Sequence, residues 1–376
     1  MGAVRLVGIT KGWAGVKAVD DLSLSMEKGE FITLLGPSGC GKTTTLRMIA
    51  GLEDPDDGDI YIDGRIVFSA GKGINVPPSQ RGLGMIFQSY ALWPHMTVFD
   101  NVAFGLVQQK APRDQIRARV MGSLEQVELA PLAQRFPSEL SGGQQQRVAV
   151  ARMVVVSPEL LLMDEPLSNL DTRLRMQMRA SLKRMHQESG TTVIYVTHDQ
   201  EEALTLSTRI AVMNKGKLEQ YESPEYVYDR PASQFVAEFT GNPQTNLIEA
   251  RAAQGAVSSE VGTDLEVAGR IVGRAVGSGF RETVVLAARP EALLLCDQDG
   301  PGRIPATVYA TLPVGSSVLV YARIGGSGAG ASETVIRAGR GVRVEANQGV
   351  WLQLDWSQVN MYDADTGRRL DNAVRP

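Results

Sequence analysis

One short stretch, Gly36-Pro-Ser-Gly-Cys-Gly-Lys-Thr-Thr44, limits what this chain can fold into more than anything else in it. It fits the pattern G-x-x-x-x-G-K-[ST]. It lies between a short apolar run, Glu30-Phe-Ile-Thr-Leu-Leu-Gly36, and a segment with helical spacing from Thr43 to Ala50. Glycines at those places let successive backbone N–H groups turn inward around phosphate oxygens, and the helix that follows adds the partial positive charge of its N-terminus. In such a loop Gly36, Pro37, Ser38, Gly39, Cys40, Gly41 and Thr44 would cradle phosphate. Lys42 would reach the β- and γ-phosphates, and the Thr43 hydroxyl would ligate Mg²⁺. A glycine turn that merely opened a helix would not need this spacing between these flanks.

Two further apolar runs, Leu160 to Met163 and Thr192 to Val196, have the look of parallel strands buried on both faces. Between them and the loop lie more polar stretches rich in Arg and Gln, such as 112–130 and 171–190, suited to helices. Strands alternating with helices argue for an α/β sheet, and with the loop for the fold of a P-loop NTPase. The run Leu160-Leu-Leu-Met-Asp-Glu165 ends in two carboxylates at the strand edge where such sheets bind ligands. Asp164 would hold Mg²⁺, directly or through water, and Glu165 would accept a proton from an attacking water. Acids are common at strand ends, here before Pro166, so it is the pairing with the phosphate loop that selects this reading.

Composition separates a second region. The last lysine is Lys217, and residues 241–376 hold 18 of the 39 glycines. Their apolar residues come in short stretches bounded by Gly, Pro, Asp and Asn, as in a small barrel or sandwich. The expected domains are therefore 1–240, an α/β nucleotide-binding domain with a helical subdomain at about 89–157, and 241–376, a small all-β domain. A net charge of −4 speaks against a strongly basic nucleic-acid binder. There is no run of about 18 apolar residues, and the first ten residues resemble no secretory signal. Cys40 and Cys296 are too few for a disulfide framework. A soluble, cytoplasmic protein is expected.

Leu140-Ser-Gly-Gly-Gln-Gln-Gln-Arg147 places a hydroxyl and free amides at the start of an apolar-periodic helix, which makes a second anion site. One nucleotide does not need two such sites on one chain, but two chains paired head to tail do. On this stretch, the phosphate loop and the acidic strand, the sequence resembles the ATP-binding cassette (ABC) family. The resemblance implies that Trp13 stacks on adenine and that Gln88, in Ile86-Phe-Gln-Ser-Tyr90, touches the metal and the attacking water. It also implies that Ser168-Asn-Leu-Asp171 crosses a dimer interface and that His198 contacts the γ-phosphate. Ser141, Gly142 and Gly143, with Arg135 and Gln144, would reach the nucleotide of the opposite chain. His95 and His186 are read as structural. No element of the cassette is degenerate, so both sites of a homodimer should hydrolyse MgATP.

The single cassette, and a C-terminal region resembling an oligonucleotide-binding-type barrel, match importers of the maltose/sugar, polyamine, phosphonate and ferric-iron group. Arg289-Pro-Glu291, Gly315-Ser-Ser-Val318 and Tyr362-Asp-Ala-Asp-Thr-Gly367 carry that part of the resemblance. It implies an ATPase subunit, peripheral at the cytoplasmic face of the inner membrane, serving two transmembrane permease subunits and indirectly an extracytoplasmic solute-binding protein. Residues 89–98 would receive the membrane subunits. The cargo leans toward sugar, with polyamine, phosphonate or ferric iron as alternatives. A soluble ATPase acting on nucleic acid or ribosomes is the competing class.

Overall fold

A computed structural model describes residues 2–87, 92–156, 158–168, 170–252, 263–268, 270–276, 283–325, 332–370 and 373–375. The chain divides into two compact units, Met1–Pro224 and Glu225–Pro376.

The first unit opens with strands β1 (Val4–Trp13), β2 (Val16–Met26) and β3 (Phe31–Leu35), then helix α1 (Lys42–Ala50). Next come β4 (Asp57–Ile62), β5 (Arg65–Ser69), β6 (Ile74–Asn75) and β7 (Leu83–Ile86). Helices α2 (Val98–Gln108), α3 (Arg113–Gln126) and α4 (Gly142–Val154) follow, then β8 (Leu160–Asp164), α5 (Thr172–Ser189), β9 (Thr192–Thr197), α6 (Gln200–Leu206), β10 (Arg209–Asn214) and β11 (Lys217–Glu222). One sheet has the order β11-β10-β3-β9-β8-β7, in which every pair is parallel except β10 with β11. Its strands are apolar without alternation because both faces are covered. Leu160 and Leu162 face a core shared with Leu46 and Ile49 of α1, whereas Leu161 and Met163 face Met178 and Leu182 of α5.

An antiparallel sheet, β2-β1-β4-β5-β6, closes over the α1 side with Leu6, Ile9, Val19 and Leu22. The sequence reading did not foresee it. Helices α2 to α4 bury a separate core of Val102, Leu106, Leu124 and Val148, and lie within the 89–157 window expected for a helical subdomain. Arg81 is buried and donates to the Met48 and Ile49 carbonyls, so a guanidinium meets the last carbonyls of α1. No helix among the described residues is long and apolar enough to cross a membrane.

The second unit begins inside α7 (Pro224–Asp229), one residue after its start, and continues with α8 (Gln234–Phe239). Its strands are β12 (Asn246–Ala252), β13 (Thr263–Val267), β14 (Arg270–Val276), β15 (Thr283–Ala288), β16 (Leu293–Cys296), β17 (Arg303–Val314), β18 (Ser317–Ile324), β19 (Ser332–Gly339), β20 (Gly349–Leu354), β21 (Val359–Asp363) and β22 (Ala373–Arg375). They form two sheets, β21-β15-β12-β13-β14-β22 and β16-β20-β17-β18-β19, over one apolar core. The division falls ahead of the boundary expected near residue 240. The reason is Arg289, which is buried, stacks 3.4 Å from the Tyr228 ring and donates to the Tyr228 carbonyl. That contact joins α7 to the β-structure. Tyr362 adds a buried bond from its hydroxyl to the Pro231 carbonyl, 3.0 Å.

Candidate active site

In the parallel sheet β9 lies between β3 and β8, so the residues that follow these three strands share one edge. After β3 the chain turns through Gly39 (φ +79°) and Gly41 (φ +101°). Gly41 is the N-cap of α1 and no side chain caps that helix. A Cβ at Gly41 would run into the Ala18 carbonyl, and one at Gly36 into the Met213 carbonyl. These glycines therefore serve both conformation and close packing. Lys42 is buried, and its Nζ donates to the Gly36 and Pro37 carbonyls at 2.7 and 2.9 Å, with Cys40 Sγ 3.7 Å away. The loop is thus wound around a cation.

Thr43 Oγ1 donates to Asp164 Oδ1 at 3.0 Å, joining the start of α1 to the end of β8. Burial pushes the Asp164 carboxyl up, while the Thr43 hydroxyl and the charge of Arg47 pull it back. No cluster of three or more His, Cys, Asp or Glu that could hold a metal occurs among the described residues. The hydroxyl and carboxylate oxygens instead suit Mg²⁺, which takes one or two protein oxygens and completes its shell with phosphates and waters.

Glu165 follows in the left-handed region, φ +44°, a conformation an L residue keeps only when its surroundings fix it. Its N–H donates to the Val196 carbonyl at 3.1 Å, and its carbonyl accepts from Ser168 Oγ at 2.9 Å. His198, just past β9, puts Nδ1 3.3 Å from Glu165 Oε1, with its ring exposed. The structure therefore brings Lys42, Thr43, Asp164, Glu165 and His198 together.

Ser141 caps α4. Its Oγ accepts from the Gln144 N–H at 3.3 Å and its own N–H donates to Gln144 Oε1 at 2.9 Å. A Cβ on Gly143 would meet Leu170 and Leu174. Arg135 pairs with Glu139 at 2.7 Å, and Asp171 caps α5 by accepting from the Leu174 N–H. Among the described residues the hydrogen bonds of Ser141, Gln144, Arg135 and Asp171 stay within their own segments and do not reach the phosphate loop of the same chain. Trp13 ends β1 at a two-residue turn, Ala14-Gly15, and is half exposed, with Lys11 Nζ 5.4 Å from its ring. Gln88, Ser89, Tyr90 and Ala91 lie outside the described residues, as does Asn169. Trp93 is held by Asn101, whose amide reaches the Trp93, Met96 and Thr97 carbonyls.

Sequence reasoning missed a polar group behind His198. Tyr195 and Thr197 both donate to buried Glu202, and Arg175 and Arg179 face Asp199. The run His198-Asp-Gln-Glu-Glu202 carried a faint signal, since an acid at helix position N3 often caps.

The chain matches the ABC transporter family over residues 19–168. It is 45% identical to the trehalose/maltose import ATP-binding protein MalK of Thermococcus litoralis, over 98% of this chain and 100% of that protein. It is 41% identical to the sn-glycerol-3-phosphate import ATP-binding protein UgpC of Salmonella typhi, again over 98% and 100%. Among solved structures it resembles the dimeric post-hydrolysis state of the ATP-binding cassette MJ0796 bound to ADP and Pi. That likeness has a TM-score of 0.53 at 31% identity, covering 59% of this chain and 98% of that one. The cbiO1 protein from Clostridium perfringens, part of the cbiONQ transporter complex, gives 0.54 at 28%, covering 60% and 90%. Identity of 45% carried across nearly the full length of both proteins is more than a shared fold requires: this chain belongs to the ATP-binding cassette transporter family, among its import ATPases.

Proposed function

We propose that two copies of this chain close around two ATP, each with Mg²⁺, and that hydrolysis drives uptake of a sugar through two membrane permease subunits. The observation that carries the reading is the meeting of Thr43 with Asp164 and of Glu165 with His198 at the ends of adjoining strands. Phosphoryl transfer is mostly positioning and charge stabilisation, and these are the groups it needs. Lys42 Nζ exchanges its two loop carbonyls for β- and γ-phosphate oxygens. Thr43 Oγ1 and Asp164 would hold Mg²⁺, with Gln88 beside it, and the ion screens phosphate charge. Glu165 takes the proton of the attacking water, and His198 contacts the γ-phosphate. Trp13 stacks on adenine. The Ser141–Gly143 segment of the second copy, with its Arg135 and Gln144, completes each site from across the dimer, where Asp171 and its turn also lie.

The chain would sit at the cytoplasmic face of the membrane, and a solute-binding protein outside would present the cargo. The second unit is read as a dimer contact and regulatory domain. Sugar is favoured because the relative at 45% identity is named for trehalose and maltose. The sn-glycerol-3-phosphate relatives support a second reading in which the cargo is that phosphorylated polyol. Capture of the complex from solubilised membranes through this chain tests both. The expected recovery is two copies with two permease subunits and a binding protein carrying sugar. A polyamine, phosphonate or ferric-iron ligand would overturn the cargo alone. Ribosomes or nucleic acid would overturn the importer.

A further inference from the structure

We propose that Arg175 is a positioning residue that sets His198 against Glu165 by tying the base of His198 to the Ser168 and Leu170 carbonyls. This rests on the reading of Glu165 and His198 as the hydrolytic pair. The two come from different strands, and the exposed His198 ring has little packing to hold it, so their 3.3 Å approach depends on how the backbone on each side is anchored.

Glu165 has its own mooring, since its carbonyl accepts from Ser168 Oγ at 2.9 Å and from the Ser168 N–H at 3.3 Å. His198 is held through its neighbours. Thr197 Oγ1 accepts from the Asp199 N–H at 3.0 Å and donates to Glu202 Oε2 at 2.7 Å, and the Glu202 N–H returns to Asp199 Oδ1 at 3.1 Å. That ring grips the His198 backbone from both sides. Its free corner, Asp199 Oδ2, accepts from Arg179 Nη2 at 3.0 Å and from Arg175 Nη1 at 3.5 Å. The other arm of Arg175, Nη2, donates to the Leu170 carbonyl at 3.0 Å and the Ser168 carbonyl at 3.5 Å. The path Glu165, Ser168, Arg175, Asp199, His198 therefore closes on itself.

Charge balance alone does not call for Arg175. Arg179 already pairs with Asp199 and Glu201, and it makes the shorter of the two bonds to Asp199 Oδ2, 3.0 against 3.5 Å. What Arg175 adds is the fork, one arm on the turn and one on Asp199, which a lysine cannot reproduce. A displacement of the Ser168 and Leu170 carbonyls is thus passed through Arg175 to His198.

The test compares the parent chain with R175Q, R175K, H198A and the double variant R175Q/H198A, using MgATP turnover and equilibrium nucleotide binding. The expected result is a loss of at least about tenfold in saturated turnover for R175Q, with KM within about twofold, since the Lys42 loop and Trp13, which carry most of the binding, are untouched. R175K should recover part of the loss. In the H198A background R175Q should cost less than about twofold, because nothing remains to be positioned. The chain has only 3 histidines, so the imidazole ¹⁵N shifts of His198 can be followed directly. They should move in R175Q even where residual turnover is too low to measure. Unchanged turnover and shifts in R175Q, or a full multiplicative loss in the H198A background, overturn the proposal. H198A turning over like the parent would remove the underlying pair as well. H198A slow beside an unaffected R175Q would sink Arg175 alone.

Discussion

Two helices of the first unit begin with glycine and a small hydroxyl residue, and their N-termini are finished in opposite ways. At α1 the cap position is Gly41 in the left-handed region and no side chain answers the free amides. At α4 the cap is Ser141, and Gln144 completes a reciprocal pair of bonds with it. The first terminus therefore leaves its leading amides without a side-chain acceptor, as an anion site would. The second meets its needs from within and presents the Ser141 hydroxyl hydrogen and the glycine amides as surplus. Sequence alone makes both look like anion sites. The structure separates a helix start with no side-chain cap from one that caps itself, the difference that the two proposed roles call for.

The largest effect should come from breaking the first terminus's partner chemistry. Glu165→Gln removes the proposed proton acceptor and is expected to lower ATP turnover by about 10²–10⁴-fold with nucleotide binding retained. Turnover near the parent's would show that the chemistry is not at the α1 end. Ser141→Ala separates the two roles of the α4 end. As a cap, the side chain is worth about 1 kcal/mol of stability, readable as a lower melting temperature. As a donor to the nucleotide of a second copy, it is worth about 10²-fold in turnover. We expect both, measured at a temperature where the variant is fully folded. A stability loss without a turnover loss would make α4 an ordinary capped helix.

The α1 site was legible in sequence because its geometry is local. The spacing of Gly36, Gly41, Lys42 and Thr43 fixes turn, helix start and side-chain reach within one loop, and Asp164-Glu165 is announced by the apolar run before it. Capping of α4 was equally local. What escaped depends on partners distant in the chain. Arg81 meets α1 carbonyls more than 30 positions earlier, with a separation of 33 to Met48. Arg175 and Asp199 are 24 apart, and either reads as a surface charge until α5 is laid beside α6. The antiparallel sheet was hidden because its register shifts between Leu6 and Ile9 and again before Gly12, which breaks the alternation that marks a strand. The boundary near 240 followed composition. Arg289 reaches back 61 positions to Tyr228 and carries the α7 and α8 helices into the second unit.

Two smaller effects sharpen the contrast between a ligand-completed end and a self-completed one. Trp13→Ala should weaken ATP binding by about three- to tenfold, the range of an aromatic contact, while saturated turnover stays within about twofold. A turnover loss with unchanged affinity would take Trp13 away from the α1 site. His186 tests the C-terminal end of α5, where Nε2 donates to the Gly29 carbonyl at 2.9 Å. Burial holds this imidazole below its ordinary value, so the unfolded chain takes up a proton at a pH where the folded chain does not. Its contribution to stability is therefore complete above about pH 6.5 and is lost as the pH falls from there toward the folded value. The slope cannot exceed about 1.4 kcal/mol per pH unit for one proton. Thermal melts from pH 7.5 to 5.5 should fall more steeply for the parent than for His186→Gln, which keeps a donor for Gly29 but no titration. Parallel melting curves would mean that His186 titrates alike in both states. A matching fall in saturated turnover at constant folded fraction would mean that the far end of the sheet is tied to the site after all.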